Sequence, residues 1–216
     1  MSKVVAIDGP AGAGKSTIAQ MLAQECGLTY VNTGSQFRAI AWLASREGIS
    51  LENISQAFLD TVKLEYIDGE LYINGSAPGE ELRTSACAAG ASLIATQERV
   101  RAFLLPVQRA AAEKNWIVME GRDIGSVVFP DAAYKFFVTA SVEERARRRL
   151  AQNPEEGKSF DEIKAAIAAR DEQDSNRSVA PLRLAEDAVL IDTSDLSIDQ
   201  VIGKIKQYMD ENPREK

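Results

Sequence analysis

Residues Lys3 to Thr17 read KVVAIDGPAGAGKST: a short apolar run, a glycine-rich turn, then a lysine and two hydroxyl residues. Gly9, Pro10, Ala11, Gly12, Ala13, Gly14, Lys15 and Ser16 fit the spacing G-x-x-x-x-G-K-[ST], and Thr17 leads into an Ala/Leu-rich helical pattern. The spacing has a physical logic. Glycines let the backbone approach phosphate, successive N–H groups at a helix N-terminus face the anion, and the lysine ammonium reaches the terminal phosphates. Ser16 is then positioned to offer its hydroxyl to Mg²⁺ held with the nucleotide phosphates. The stretch predicts a strand, a phosphate-binding loop and a helix, with a Mg-nucleotide as ligand.

Outward from it, short apolar runs recur at Thr29 to Asn32, Trp116 to Glu120, Tyr134 to Thr139 and Ala188 to Asp192, with the long helical patterns between or after them. That alternation predicts an α/β fold with a parallel sheet. Helix starts are expected at Ser141, Ser159 and Ser197, each followed three residues later by Glu144, Glu162 or Gln200 in a capping box. One segment breaks the pattern: Val62 to Ile67, Asp68-Gly69, Glu70 to Ile73 and Asn74-Gly75 read as strand, turn, strand, turn, an antiparallel hairpin in an inserted subdomain. Gln152 to Lys158 (QNPEEGK) reads as a polar loop or lid between two helices.

At 216 residues, with 45% hydrophobic and 26% charged, the chain is long enough for one core with an insertion, and its composition excludes disorder and disulfide-rich classes. Lys plus Arg is 25 against 32 for Asp plus Glu, and the net charge of −7 disfavours nucleic acid as a partner. The absence of histidine excludes imidazole acid–base chemistry, Ser-His-Asp triads and His-ligated zinc. Cys26 and Cys87, each in an alanine-rich helical context, suit reduced thiols. With no stretch of about 18 apolar residues and no secretory leader, a cytoplasmic location without membrane contact is expected.

Phosphoryl transfer needs positive charge around the moving group more than it needs a strong base. Arg38 follows Thr33 and Gly34 one turn into a helix, where a second phosphate would fit; an exposed arginine on a helix capped by Thr33 is the plainer alternative. Gly121-Arg122-Asp123 comes after the run WIVME, at the carboxyl end where open α/β sheets place ligands, although a turn salt bridge gives the same pattern. Arg145, Arg147, Arg148 and Arg149 crowd one helix, with Arg145 and Arg149 on one face; a solvated basic face is the alternative. Arg170, Asp174 and Arg177 share a helical spacing that suits either a ligand-facing set or a salt-bridge ladder. Together these favour a kinase. Another P-loop small-molecule kinase, acting on UMP or on a metabolite such as shikimate, and a P-loop switch stay as alternatives.

With IDGPAGAGKST at Ile7 to Thr17, NTGSQFR at Asn32 to Arg38, GRDIGSVVFPDA at Gly121 to Ala132 and RDEQDSNRSVAPL at Arg170 to Leu182, the chain closely resembles the bacterial cytidylate kinases of the nucleoside monophosphate kinase family, over nearly its whole length. The resemblance implies one P-loop kinase domain over 1–216. Its five-stranded parallel sheet would be flanked by helices, with a monophosphate-binding insert at about 60–92 and a lid at about 145–159. It implies ATP as donor on Gly9 to Thr17, Mg²⁺, CMP or dCMP as acceptor, and a monomer. Thr33, Arg38, Arg122 and Arg177 would surround the acceptor phosphate, Ser92, Arg101 and Asp123 would face cytosine, and Arg170 and Asp174 would hold the sugar hydroxyls. Lys15, Arg122, Arg149 and Arg177 would carry catalysis, and Thr193 and Ser194 would line the donor base. Two positions depart from the family pattern: Thr33 replaces a serine and Phe37 replaces a tyrosine.

Overall fold

The computed structural model describes residues 2–67, 70–152 and 157–214, and it divides the chain into two compact units: residues 1–31 with 114–216, and residues 32–113. In the first unit, the apolar run ahead of the glycine-rich turn forms β1 (Ser2–Asp8), whose last five residues are buried. α1 (Lys15–Cys26) follows the turn. β2 (Thr29–Asn32), β5 (Ile117–Gly121), β6 (Ala132–Thr139) and β7 (Val189–Asp192) complete a five-stranded sheet of order β2-β5-β1-β6-β7. β1 pairs in parallel with β5 and β6, and β6 in parallel with β7. The central strands β1, β5 and β6, covered on both faces, have no solvated side to mark with polar residues, so their runs are continuous rather than alternating, while the edge strands β2 and β7 bury only Val31 and Ile191. Val5, Ile7, Val118, Phe136 and Val138 of the sheet pack with Ile18 and Leu22 of α1 and with Ile202 and Ile205 of α8 (Ile198–Glu211). α6 (Val142–Gln152) and α7 (Phe160–Asn176) share a smaller cluster of Ala146, Ile163 and Ile167.

Ser159 and Ser197 each make the full reciprocal capping box expected of them. Ser141 makes half of one. Its hydroxyl accepts from the Glu144 N–H at 3.2 Å, but its own N–H donates to Ser194 Oγ, and the Glu144 carboxylate is taken by Arg147 and Arg148.

The second unit holds α2 (Thr33–Arg46), α3 (Gln56–Leu59), β3 (Leu64–Ile67), β4 (Glu70–Ile73), α4 (Ser85–Ile94) and α5 (Glu98–Ala110). β3 and β4 form the expected antiparallel hairpin, with Leu64 opposite Ile73; its turn residues 68 and 69 lie outside the described residues. This unit has a core of its own, built on Ile40, Trp42, Ile54, Leu59, Ile73, Ile94, Val100 and Leu104. It takes in the segment 60–92 and extends on both sides of it. In the loop expected as a lid, residues 153–156 lie outside the described residues.

Candidate active site

The glycine-rich loop leaves β1 through Gly9, at φ +147°, where a Cβ would stand 1.9 Å from the Val138 carbonyl oxygen; only glycine fits there. Gly14, left-handed at φ 88°, is the N-cap of α1, so the free N–H groups of the first helical turn open onto the loop. Lys15 is buried, and its ammonium donates to the Pro10 carbonyl at 2.7 Å. Burial, reinforced by the positive charge of Arg122, lowers its pKa to about 7, while Glu120 and Asp8 oppose the shift. The hydroxyl-bearing residues Ser16 and Thr17, in the first turn, are exposed. Among the described residues no group of three or more Cys, Asp or Glu is gathered to cage a metal. An exposed serine hydroxyl beside a phosphate-binding loop is the hard oxygen donor that Mg²⁺ uses when its other ligands are nucleotide phosphates and water, so Ser16 fits that ion.

Asp8, the last residue of β1, is a site residue that motif reading did not single out. Its carboxylate accepts from the N–H groups of Ile124 and Gly125, both at 2.8 Å, in a π-helical turn (Ile124–Val128) just beyond Asp123. Burial pushes its pKa up to about 6 against those two hydrogen bonds, with the charge of Asp123 adding to the rise. The strand that ends in the phosphate loop is thus tied to the segment that carries Arg122 and Asp123. Glu120, buried at the end of β5, accepts from the Tyr30 hydroxyl.

Beyond β5 the structure brings four of the expected site residues together. Arg122 Nε donates to Asp174 Oδ2 at 2.8 Å, Arg177 Nη2 to Asp123 Oδ1 at 3.2 Å, and Arg177 Nη1 stands 3.9 Å from Asp174 Oδ1. All are largely buried: the side chains of Arg177 and Asp123 are 4% and 8% exposed. Arg170 lies one turn before Asp174 on α7, and its charge acts on Lys15. Arg177 does not continue that helical face. It is the C-cap of α7 with extended backbone, and its side chain is turned by the chain end rather than by helical spacing.

The four arginines of α6 divide by role. Arg145, 4% exposed, donates to the carbonyls of Ala140 at 2.9 Å and Ala11 at 3.1 Å and pairs with Asp171 at 2.6 Å, so it braces the phosphate loop from outside. Arg148 bonds Glu144 at 3.0 Å, Thr193 Oγ1 at 2.9 Å and the Thr193 carbonyl at 2.6 Å. Arg147 is exposed and pairs with Glu144, and Arg149 is half-buried in the last turn. A uniformly solvated basic face is therefore excluded for Arg145 and Arg148. Thr193 is buried, its hydroxyl shared between Arg148 and the Thr139 carbonyl, and Ser194 Oγ serves Ser141 and Asp192.

In the other unit, Asn32 and not Thr33 caps α2, accepting from the Ser35 N–H at 2.9 Å. Thr33 is buried in the first turn, and Arg38 is half-buried, with its guanidinium close over Gly34, where a Cβ would come within 3.1 Å of Nη1. Ser92 is buried on α4. Arg101, in the first turn of α5, donates to the Ala95 carbonyl at 3.3 Å and holds its guanidinium over the Phe37 ring. The expected site residues thus fall into two sets. Lys15, Arg122, Asp123, Arg149, Arg170, Asp174 and Arg177 are in the unit with the glycine-rich loop, and Thr33, Arg38, Ser92 and Arg101 are in the unit 32–113. No helix of the described residues is long and apolar enough to cross a membrane.

The model of the family described as "Cytidylate kinase" matches residues 5–211. A protein of Thermosipho africanus with that name is 44% identical over 95% of this chain and 93% of its own. A protein of Geobacter sulfurreducens, also so named, is 44% identical over 98% of this chain and 94% of its own. Among solved structures, shikimate kinase from Acinetobacter baumannii superposes with a TM-score of 0.51 at 14% identity, covering 98% of this chain and 95% of that one, a likeness of fold.

Proposed function

The chain belongs to the cytidylate kinase family, and on that premise we propose that it transfers the γ-phosphoryl group of ATP to CMP or dCMP, giving CDP or dCDP and ADP. The observation that carries the reading is the buried set Arg122, Asp174, Arg177 and Asp123, held in the same unit as Lys15. Such a set supplies fixed cations for phosphate and an ordered carboxylate for a base, more than nucleotide binding alone requires.

In the proposed mechanism, Gly9 to Thr17 hold the phosphates of ATP. An acceptor phosphate oxygen attacks the γ-phosphorus in line, the bond to the β-γ bridging oxygen breaks, and ADP leaves. No side-chain base is needed, because a monophosphate with a second pKa of about 6 is already mostly ionised near neutral pH. Mg²⁺ held by Ser16 and the phosphates would neutralise charge on the β and γ oxygens. Lys15, whose ammonium donates to the Pro10 carbonyl beside the loop, would reach the phosphates, and their negative charge would favour its protonated form. Arg149 joins Lys15 on the transferring group, and Thr33, Arg38, Arg122 and Arg177 hold the acceptor phosphate. Arg170 and Asp174 take the sugar hydroxyls.

Base selection follows from donors and acceptors. Asp123, ion-paired to Arg177, offers acceptors to the N4 amino group of cytosine, whereas uracil presents an acceptor there. Arg101 donates to O2 and N3, with Ser92 beside the base. The same reading makes the protein a cytoplasmic monomer whose partners are small molecules.

The test is ADP release from Mg-ATP against CMP, dCMP, UMP, AMP, GMP and shikimate. Turnover confined to CMP and dCMP is expected, and chelation of Mg²⁺ should abolish it. A different preferred acceptor would keep the kinase and discard the base assignment. Tight ATP binding without turnover on any acceptor would return the chain to the switch reading.

A further inference from the structure

Arg101 has a long, flexible side chain, and a residue that reads a base must be held still to discriminate. Its guanidinium donates to the Ala95 carbonyl at 3.3 Å, long for a hydrogen bond. It also meets an aromatic face: the guanidinium carbon lies 5.7 Å from the centroid of the Phe37 ring, within the range of a cation–π contact. Phe37 is itself fixed, since it packs against the core of its unit. The residue before it is fixed as well. Gln36, 1% exposed, accepts from Gln108 Nε2 at 3.1 Å and donates to the Tyr66 hydroxyl at 3.3 Å. Adjacent residues of α2 therefore meet α5 at Arg101 and, about two turns further on, at Gln108, which sets the two helices in register. The residue after Phe37 is Arg38, so one short stretch of α2 carries the arginine assigned to phosphate and the ring under the arginine assigned to the base.

We infer that Phe37 is a positioning residue for base recognition: its ring face orients the Arg101 guanidinium, and no phenol is needed for the role. This rests on the proposed reading of Arg101. A leucine at 37 keeps apolar bulk but lacks the negative ring face that attracts the cation, whereas a tyrosine keeps that face.

The experiment is steady-state kinetics on the full chain for Phe37→Leu, Phe37→Tyr, Arg101→Ala and the Phe37→Leu/Arg101→Ala double variant, with thermal melting of each. For Phe37→Leu, KM for CMP should rise about three- to fivefold, the effect of losing one partly exposed cation–π contact, with kcat and KM for ATP within about twofold. The preference for CMP over UMP in kcat/KM should narrow. Phe37→Tyr should keep both at the parental values, and Phe37→Leu should add nothing in the Arg101→Ala background. An unchanged KM for CMP in Phe37→Leu, or the same penalty with and without Arg101, would overturn the inference. So would a rise in KM for ATP matching that for CMP with a lower melting temperature, the mark of a merely structural role. If Arg101→Ala itself leaves CMP kinetics and base preference unchanged, the reading of Arg101 fails first and the inference with it.

Discussion

Lys15, proposed to hold the nucleotide phosphates, sits at odds with stability. Its pKa is lowered from 10.5 to about 7 by burial, so between those values the unfolded chain binds more protons than the folded one. Stability contributed at this site therefore rises as pH climbs from 7 towards 10.5, and below 7 the buried ammonium imposes its full cost. Replacing Lys15 with Met should abolish turnover, by at least about a hundredfold in kcat, yet raise stability in urea at pH 7 without nucleotide. The gap between variant and parent should shrink as pH rises through that window, and parallel pH profiles for the two proteins would contradict it. Asp8 has the opposite sign. A carboxyl raised from 3.8 to about 6 loses its stabilising proton as pH rises through that interval, and its contribution is flat above it. Lys15 was legible in the sequence because its motif is local. Asp8 was not, because a carboxylate closing an apolar run looks like the start of any turn. What marks it are the N–H groups of Ile124 and Gly125, brought to it only by the pairing of β1 with β5.

The helix α6 carries four arginines that sequence spacing alone cannot separate. Periodicity puts Arg145 and Arg149 on one face, but which of them meets the phosphate loop is decided by the packing of α6 against α7 and the chain around Ala11. The resulting division can be tested by an alanine scan read for both melting and turnover. Arg145→Ala strands the carboxylate of Asp171, 22% exposed, and frees the Ala11 and Ala140 carbonyls, so a loss of about 3 kcal/mol is expected. Arg147→Ala removes one exposed pair and should stay within about 0.5 kcal/mol and about twofold in kcat. Arg149→Ala should leave melting unchanged while kcat falls by about a hundredfold or more. Equal activity losses for Arg147→Ala and Arg149→Ala would return α6 to a generic basic face. Caps show the same divide between local and long-range information. Ser159 and Ser197 behave as their sequences read, whereas Ser141 loses half its box because Arg147, Arg148 and Ser194 compete for the groups involved.

At the scale of the whole molecule, the apolar runs of β1, β5 and β6 announced a parallel sheet, because strands covered on both faces must be apolar throughout, whereas the edge strands β2 and β7 each bury a single residue. The strand order, β2-β5-β1-β6-β7, was not legible, since neighbours in the sheet are distant in the chain. Nor was the extent of the second unit: the hairpin signalled an insertion, but α2, α4 and α5 look like any amphipathic helices until their shared core is seen. Each unit has its own core and, as it happens, its own tryptophan: Trp42 beside Arg46 and Glu81 in one, Trp116 beside Tyr134 in the other. Two cores with distinct residues need not melt together. Trp42→Phe and Trp116→Phe variants, each reporting through the remaining indole, should give two different urea midpoints without ligand. The proposed site residues then dictate how ligands move them. Mg-ADP, held on Gly9 to Thr17, should stabilise the unit that Trp116 reports by up to about 2.7 kcal/mol at a hundred times its Kd, raising that midpoint and leaving the Trp42 midpoint in place. CMP, assigned ligands in both units, should raise both. Coincident midpoints that Mg-ADP shifts equally would mean that the two units unfold as one, and the division of the binding residues would then have no thermodynamic counterpart.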